Sequence, residues 1–150
     1  LHVALDAISF QEVTETRVVL ERAAATAAAL HCTPEALDEL EAMLAQMREQ
    51  PDAAAFNEID TAFHVAIARI GANRLIRDVT VAIRQAVARP ILNAEEILPD
   101  WEGLRAQLNV EHTAILEALR LGDGALAADR VEAHIRQAHE ALLPRTLVGA

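Results

Sequence analysis

The sequence contains little of several residue types that would indicate other classes of protein. Its single cysteine, Cys32, excludes an internal disulfide framework, and no apolar run approaches the roughly 20 residues that a membrane span needs. There is no tyrosine and there are only three phenylalanines, so the aromatic residues that favour strands are scarce. Glycine and proline occur five times each. These absences predict a helical, soluble, cytoplasmic protein with no membrane partner.

Basic clusters are also missing from the sequence. Asp and Glu number 23 against 13 Lys and Arg, which gives a formal net charge of −10 at pH 7. No group of neighbouring arginines resembles those that follow a phosphate backbone. We therefore expect this chain by itself to bind DNA poorly. Because it begins with Leu1 rather than methionine, we also expect it to be a piece of a longer protein.

Ala, Leu, Ile, Val, Glu and Arg dominate the composition, and 150 residues suffice for one domain with a sizeable core. Capping residues and apolar spacing predict an all-α antiparallel bundle of six or seven helices joined by short turns. Residues 1–9 are interpreted as a lead-in, 10–143 as the helical domain and 144–150 as a tail. The predicted helices cover residues 10–30, 34–49, 53–70, 74–89, 91–98, 101–121 and 125–143.

Three predictions concern the third and fourth helices in detail. Gly71 is expected to end the third helix in a left-handed conformation. Pro90 is expected to break or kink the fourth helix, because proline lacks the amide that the helix needs. The apolar residues of the fourth helix recur at helical spacing and predict its apolar face; they are Leu75, Ile76, Val79, Ile83 and Val87.

A carboxylate and three imidazoles lie on faces that the sequence predicts to be buried. Asp60 and His64 are four residues apart on one helix, so both side chains lie on the same face. His112 and His134 occupy apolar stripes of two later helices. This oxygen and nitrogen set suits one divalent metal, with zinc first and nickel, manganese or iron as alternatives. The site is either closed and tetrahedral, or octahedral with two positions open for water or a small ligand.

Three further residues are candidates for contacts with a small ligand beside the metal. Arg17 lies on the apolar face of the first helix, where its guanidinium either clamps an anionic ligand or forms a structural ion pair. Arg84 is a second candidate, although a solvated helix face explains it more simply. Asn73 is best explained as a helix N-cap, with a role in the pocket as the alternative. His139 follows His134 by five residues, about 140° around the helix, and should miss the metal site.

Six short motifs occur in order along the chain: TRVVLERAA at 16–24, IDTAFH at 59–64, GAN at 71–73, EHTAILEAL at 111–119, GD at 122–123 and AHI at 133–135. With these motifs the sequence resembles, over about residues 10–143, the C-terminal effector domain, or FCD domain, of the FadR-type branch of GntR transcriptional regulators. The resemblance implies a bundle of six or seven helices that follows an N-terminal winged helix-turn-helix domain, which binds operator DNA as a dimer. That DNA-binding domain is not in this sequence.

The resemblance also implies a site and a function. Metal-binding members of the family hold their ion with an aspartate and three histidines at positions that match Asp60, His64, His112 and His134. Their effectors are mostly small organic acids or sugar acids, which bind at the metal or beside it. The resemblance therefore implies a homodimeric, metal-dependent sensing domain that is not an enzyme, with a small carboxylate as its partner.

Two other functions remain open from the residues alone. A metal-dependent hydrolase or isomerase could use open coordination positions to activate water. However, the sequence contains no His-Glu-x-x-His motif and no carboxylate that is obviously placed as a general base. Paired Glu-x-x-His motifs, which mark di-iron bundles, are absent as well. The third possibility is a purely structural metal that ties three helices together.

Overall fold

The structure, a computed structural model, describes residues 7–146, with side chains as far as Leu143. That range contains six α-helices and no strand, which confirms the predicted all-α bundle. The helices are α1 (Phe10–His31), α2 (Pro34–Glu49), α3 (Ala53–Ile70), α4 (Arg74–Glu96), α5 (Trp101–Arg120) and α6 (Gly124–Thr146). Helix α6 continues past Pro144, so the predicted tail begins later than expected. Most of the predicted lead-in, and the last four residues, lie outside the described residues.

Helices α1 to α5 each begin at a side chain that accepts a hydrogen bond from an amide of the first turn. Such a cap satisfies one of the donors that a helix leaves unpaired at its start. At α1 the cap is reciprocal, because Glu12 also accepts a hydrogen bond from the Ser9 backbone amide. The five caps are Ser9, Thr33, Asp52, Asn73 and Asp100.

Helix α1 lies at the centre of the packing and contacts α3, α4, α5 and α6. Its buried face contains alanines such as Ala25 and Ala28, whose small side chains allow neighbouring helices to approach closely. Larger apolar side chains fill the space between the other helices, including Phe56, Phe63 and Ile115, which are fully buried. Burying each of these is worth about 1.5–3 kcal/mol. This core holds the helices in fixed positions around the site described below.

The turn between α3 and α4 differs from its prediction. Gly71 has a φ of −70°, so it does not adopt the left-handed conformation expected of it. Glycine is required there for a different reason: a Cβ atom on Gly71 would lie 2.9 Å from the Cβ atom of Ala27 on α1. The left-handed conformation occurs instead after α5, at Gly122, where φ is +66°.

Helix α4 also differs from its prediction in two respects. The predicted break at Pro90 is absent, and the helix continues through this residue, because the carbonyl that proline leaves unpaired, that of Ala86, belongs to the exposed side of the helix. The predicted apolar face is confirmed only in part: Val87 is buried and Ile83 packs against the core, but Leu75 is 73% exposed and Val79 is 37% exposed. The buried face of α4 is Thr80, Arg84, Val87, Ile91, Ala94 and Glu95. Polar groups therefore take the inward positions on this helix.

The lengths and compositions of the helices were compared with those of a membrane span. In the part of the chain that the structure describes, no helix is both long enough and apolar enough to cross a membrane.

Candidate metal centre

The four predicted metal ligands lie together in the interior of the bundle. Asp60 and His64 come from successive turns of α3, His112 comes from the middle of α5, and His134 comes from α6. All four side chains are buried, and one ligand atom from each lies within 4.8 Å of the others. The spacing in the sequence places them on inward faces, and the packing of α3, α5 and α6 brings those faces to one point.

The distances between the ligand atoms suit a shared ion. His112 Nε2 is 2.7 Å from Asp60 Oδ1, His64 Nε2 is 3.5 Å from the same oxygen, and the Nε2 atoms of His64 and His134 are 3.2 Å apart. Atoms about 2.1 Å from one metal and separated by tetrahedral angles lie roughly 3.4 Å from each other, and octahedral angles bring them somewhat closer. The side chains therefore converge without a large rearrangement.

Several polar atoms of this cluster are buried without a hydrogen bond. They are Asp60 Oδ1 and both ring nitrogens of His112. His112 Nε2 and Asp60 Oδ1 approach closely, but they are not aligned for a hydrogen bond. Leaving such a group unpaired costs about 1–3 kcal/mol. A cation between the two atoms would satisfy both of them, so the residues fit a metal ion.

The orientation of two histidines is fixed by carboxylates on the far side of each ring. Glu21 Oε1 lies 2.7 Å from His64 Nδ1, and Glu111 Oε2 lies 2.8 Å from His134 Nδ1. A carboxylate at Nδ1 keeps the proton on that nitrogen and leaves the lone pair of Nε2 directed at the centre. The two Nε2 atoms lie 3.2 Å apart, a separation that either a shared proton or a metal ion between them would stabilise.

The electrostatics favour the protonation states that bind metal. Burial lowers the pKa of His134 well below its ordinary value, and His112 and His64 lower it further. Burial also lowers the pKa of His112, which Asp60 only partly offsets. Burial alone would raise the pKa of Asp60, but Arg84 and the neighbouring histidines outweigh it and hold that pKa well below the usual range. Neutral imidazoles and an ionised carboxylate are the forms that coordinate a metal.

The three residues predicted to contact an effector differ in whether they reach the site. Arg17 is buried and its Nε atom donates to Glu21 Oε2 at 3.1 Å, so it has the anionic partner that its position demanded. Arg84 is buried too, and its Nη2 atom donates to Asp60 Oδ2 at 3.1 Å. The solvated position that the sequence favoured for Arg84 is therefore wrong. The structure does not bring Asn73 to the site, because this residue is exposed and caps α4 through the amide of Ile76.

A small cavity of about 30 Å³ lies beside the cluster. That volume holds about two water molecules. Part of its wall is apolar, with side chains such as Leu108 and Ile135. Its polar wall consists of Arg17, Asp60, Arg84, Glu95, His134 and His139. Arg17 and Arg84 thus serve as ion-pair partners and also line a space next to the candidate metal ligands.

Sequence reasoning missed four polar residues of the site. Glu21 and Glu111 hold the histidine rings, and the available signal was that Glu21 lies one helical turn after Arg17 on the same buried face. Glu95 lines the cavity, where burial and Asp60 raise its pKa to about 8 despite Arg84. Thr14 contacts the ring of His139.

His139 lies outside the four-residue cluster but does line the cavity. Its Nδ1 atom is 2.8 Å from Thr14 Oγ1, and its ring stacks on Phe10 with the centroids 5.2 Å apart. Both rings of the stack line the cavity near the beginning of α1.

Comparison with known proteins identifies the family. A family model described as the FCD domain matches residues 12–137, which is most of the chain. The chain belongs to the FCD domain family. This confirms the resemblance that the sequence motifs carry. FCD domains are parts of GntR-family transcription regulators, which are not enzymes.

Two solved structures share the fold of this FCD domain. Escherichia coli McbR/YncC superposes with a TM-score of 0.81 at 16% identity, over 92% of this chain and 71% of its own. Streptococcus agalactiae GntR superposes with a TM-score of 0.74 at 19% identity, over 92% of this chain and 64% of its own. This FCD domain therefore spans only part of each regulator. No curated protein matches the sequence.

Proposed function

We propose that this FCD domain is the metal-dependent sensor of a small organic acid or sugar acid in a GntR-family regulator of the FadR branch. The observation that carries the proposal is the convergence of four buried ligand side chains beside a cavity that two arginines line. Family membership supports the regulatory role, and FCD domains often bind metal. Asp60, His64, His112 and His134 would hold the ion, with zinc first and nickel, manganese or iron as alternatives.

The charges around the cavity favour an anionic effector. Arg17 and Arg84 each have one carboxylate partner, Glu21 and Asp60 respectively, so the arginines and these acids balance. A divalent cation would then leave a positive excess in a buried space, which an effector carboxylate would neutralise. When bound, the metal supplies a Lewis-acid charge for that carboxylate. The planar guanidinium of Arg17 suits bidentate recognition of the same group.

Helix α1 offers a route from the site to the DNA-binding domain that is expected to precede it. Arg17 and Glu21 lie on this helix, and Glu21 contacts His64. Phe10, the first residue of α1, also lines the cavity. An effector that contacts Arg17 would therefore act on the helix whose start leads into residues 1–9. We propose that this contact changes how an N-terminal winged-helix domain binds DNA.

The exposed face of α4 supports the proposal of a homodimer. Leu75 and Val79 are four residues apart, so they lie on one side of the helix, and both are exposed. Covering such side chains removes apolar surface from water, which favours association. A second copy of this FCD domain would cover them by packing α4 against α4.

The test of the sensing function is whether acid binding requires metal. The chain is stripped with a chelator, and the binding of a panel of small organic and sugar acids is measured by calorimetry with and without added zinc. We expect at least one acid to bind the zinc-loaded chain and none to bind the stripped chain. Equal affinity in both forms, or no binding in either, would contradict the proposal. Conversion of an acid by the loaded chain would instead favour the hydrolase.

An arginine variant separates the recognition of the acid from the binding of the metal. Arg17→Lys retains a positive charge near Glu21 but loses the planar fork of the guanidinium. We expect it to weaken acid binding about tenfold or more while zinc affinity changes little. Arg22→Lys is the matched control, because Arg22 lies on the same helix and pairs with Asp129 and Glu132 away from the cavity. Equal acid affinity in the two variants would remove Arg17 from the effector site.

A further inference from the structure

Three polar atoms around the cavity are buried without a hydrogen-bond partner and are not candidate metal ligands. They are Glu95 Oε2, His139 Nε2 and Arg84 Nε. Glu95 is 2% exposed and lies near the end of α4, whereas His139 belongs to α6. The two side chains therefore come from different elements and line one space. Buried polar groups without partners are rare in folded proteins, and a ligand or water normally satisfies them.

The side chains around the cavity would bind two different parts of the effector at two positions. Arg17, Arg84 and a bound metal together attract its carboxylate, which leaves Glu95 and His139 for another group. Positive charge on this side disfavours an ammonium group at that second position. Burial raises the pKa of Glu95 and lowers that of His139.

A hydroxyl group matches the second position because it both donates and accepts a hydrogen bond. Glu95 Oε2 can donate to it when the carboxyl is protonated or accept from it when the carboxyl is ionised, and His139 Nε2 can pair with it in either tautomer, whichever one Thr14 stabilises at Nδ1. We propose that the effector is a short hydroxy acid whose hydroxyl group binds between Glu95 and His139. This inference rests on the proposed function, since it assumes that an acid binds beside the metal.

The size of the cavity favours the shortest members of this class. A volume of about 30 Å³ holds only about two water molecules, fewer non-hydrogen atoms than any carboxylic acid has, so each further carbon atom of the effector must displace surrounding side chains. Apolar side chains, including Leu108 and Ile135, would surround the carbon atoms of the effector. An acid with three carbon atoms fits this description better than a six-carbon sugar acid does.

The experiment compares acids that differ in one group. Binding of propanoate, 2-hydroxypropanoate, 3-hydroxypropanoate and 3-aminopropanoate to the zinc-loaded chain is measured by calorimetry. We expect at least one hydroxy acid to bind at least about tenfold more tightly than propanoate. An acid without the hydroxyl group would leave the polar groups of Glu95 and His139 without hydrogen-bond partners. The amino acid should bind more weakly than propanoate. Propanoate that binds as tightly as both hydroxy acids would overturn the inference.

Substitutions test whether Glu95 and His139 cause the preference for a hydroxy acid over propanoate. In Glu95→Leu and in His139→Phe, which can keep the stack on Phe10, we expect the ratio of hydroxy-acid affinity to propanoate affinity to fall below about threefold. Glu95→Gln, which retains size and hydrogen bonding, should keep most of the preference. Glu96→Leu is the matched control at the neighbouring exposed position. An undiminished preference in His139→Phe, which alters only a half-buried side chain, would overturn the inference even if Glu95→Leu failed to fold.

The outcomes separate this inference from the function on which it rests. If no acid in this panel or in the wider panel of organic and sugar acids binds the zinc-loaded chain, the proposed sensing function fails, and the inference fails with it. If acids bind in a zinc-dependent way without regard to a hydroxyl group, the sensing function stands and only the hydroxy-acid inference is wrong.

Discussion

Replacing Glu111 tests whether the carboxylates behind the histidines serve a metal. Its Oε2 atom lies 2.8 Å from His134 Nδ1, so it accepts the proton that fixes the tautomer of the ring. Removing such a partner typically costs 10- to 100-fold in metal affinity. The Glu111 side chain is 14% exposed, so water partly replaces the lost contact. We therefore expect Glu111→Ala to weaken zinc binding about 10- to 30-fold, or roughly 1.4–2 kcal/mol.

The assay is competition for zinc against a chelator of known affinity. Glu111→Gln keeps an acceptor for the Nδ1 proton but loses the charge, so we expect it to lose only about threefold, since a charged acceptor is roughly twice as strong as a neutral one. Glu117→Ala is the control, because this exposed glutamate on the same helix lies 3.9 Å from Arg120 and away from the site. Equal zinc affinities for Glu111→Ala and Glu117→Ala would refute the tautomer argument.

Three further predictions concern stability and assembly. Asp60→Ala should destabilise the metal-free chain by about 3–5 kcal/mol in urea unfolding, because it leaves Arg84 buried and unpaired; a loss below 1 kcal/mol would show that the pair matters little. Glu95 has a pKa of about 8 in the folded state, whereas in the unfolded chain it loses its proton near pH 4.5. Its contribution to the free energy of unfolding should therefore fall as the pH rises between those values. The free energy of unfolding of Glu95→Gln, measured relative to that of the wild type, should therefore rise by up to about 2–3 kcal/mol from pH 5.5 to pH 7.5. A difference between the two proteins that does not change with pH would contradict the raised pKa. Leu75→Glu should shift sedimentation from dimer to monomer while Leu121→Glu, equally exposed elsewhere, should not; a wild-type chain that sediments only as monomer would remove the dimer.

Much of the fold and the whole ligand cluster could be predicted from the sequence, because both depend on local signals. Ser9, Thr33 and the other caps mark helix starts through contacts within one turn. His112 and His134 stand out because an imidazole in an apolar stripe is unusual, whatever the neighbouring helix is. Their convergence required only that the inward faces of three helices meet.

The acidic half of the site could not be predicted in the same way. Glu21, Glu95 and Glu111 look like solvated positions, since glutamate is common on exposed helix faces. Their burial depends on partners from elsewhere in the fold, such as His64 for Glu21 and His134 for Glu111. No spacing within one helix reveals such a pairing.

The predicted orientation of the first part of α4 was wrong for a related reason. Its most apolar face carries Leu75 and Val79, and hydrophobic spacing alone turns that face inward. The structure instead turns Thr80, Arg84 and Glu95 toward the interior. Arg84 is retained there because Asp60 on α3 pairs with it, a contact between helices that periodicity does not record. The exposed apolar face is what remains, and it forms the basis of the proposed dimer.

The most direct test of the central claim is the stoichiometry of metal binding. The purified chain is stripped, titrated with zinc and analysed for metal content, and the His112→Ala and His134→Ala variants are compared with His139→Ala. We expect one zinc ion per chain in the wild type and in His139→Ala, with a loss of affinity of at least about 100-fold in the other two variants. Absence of stoichiometric zinc in the wild type, or equal effects of the three substitutions, would contradict the assignment of this cluster as a metal centre.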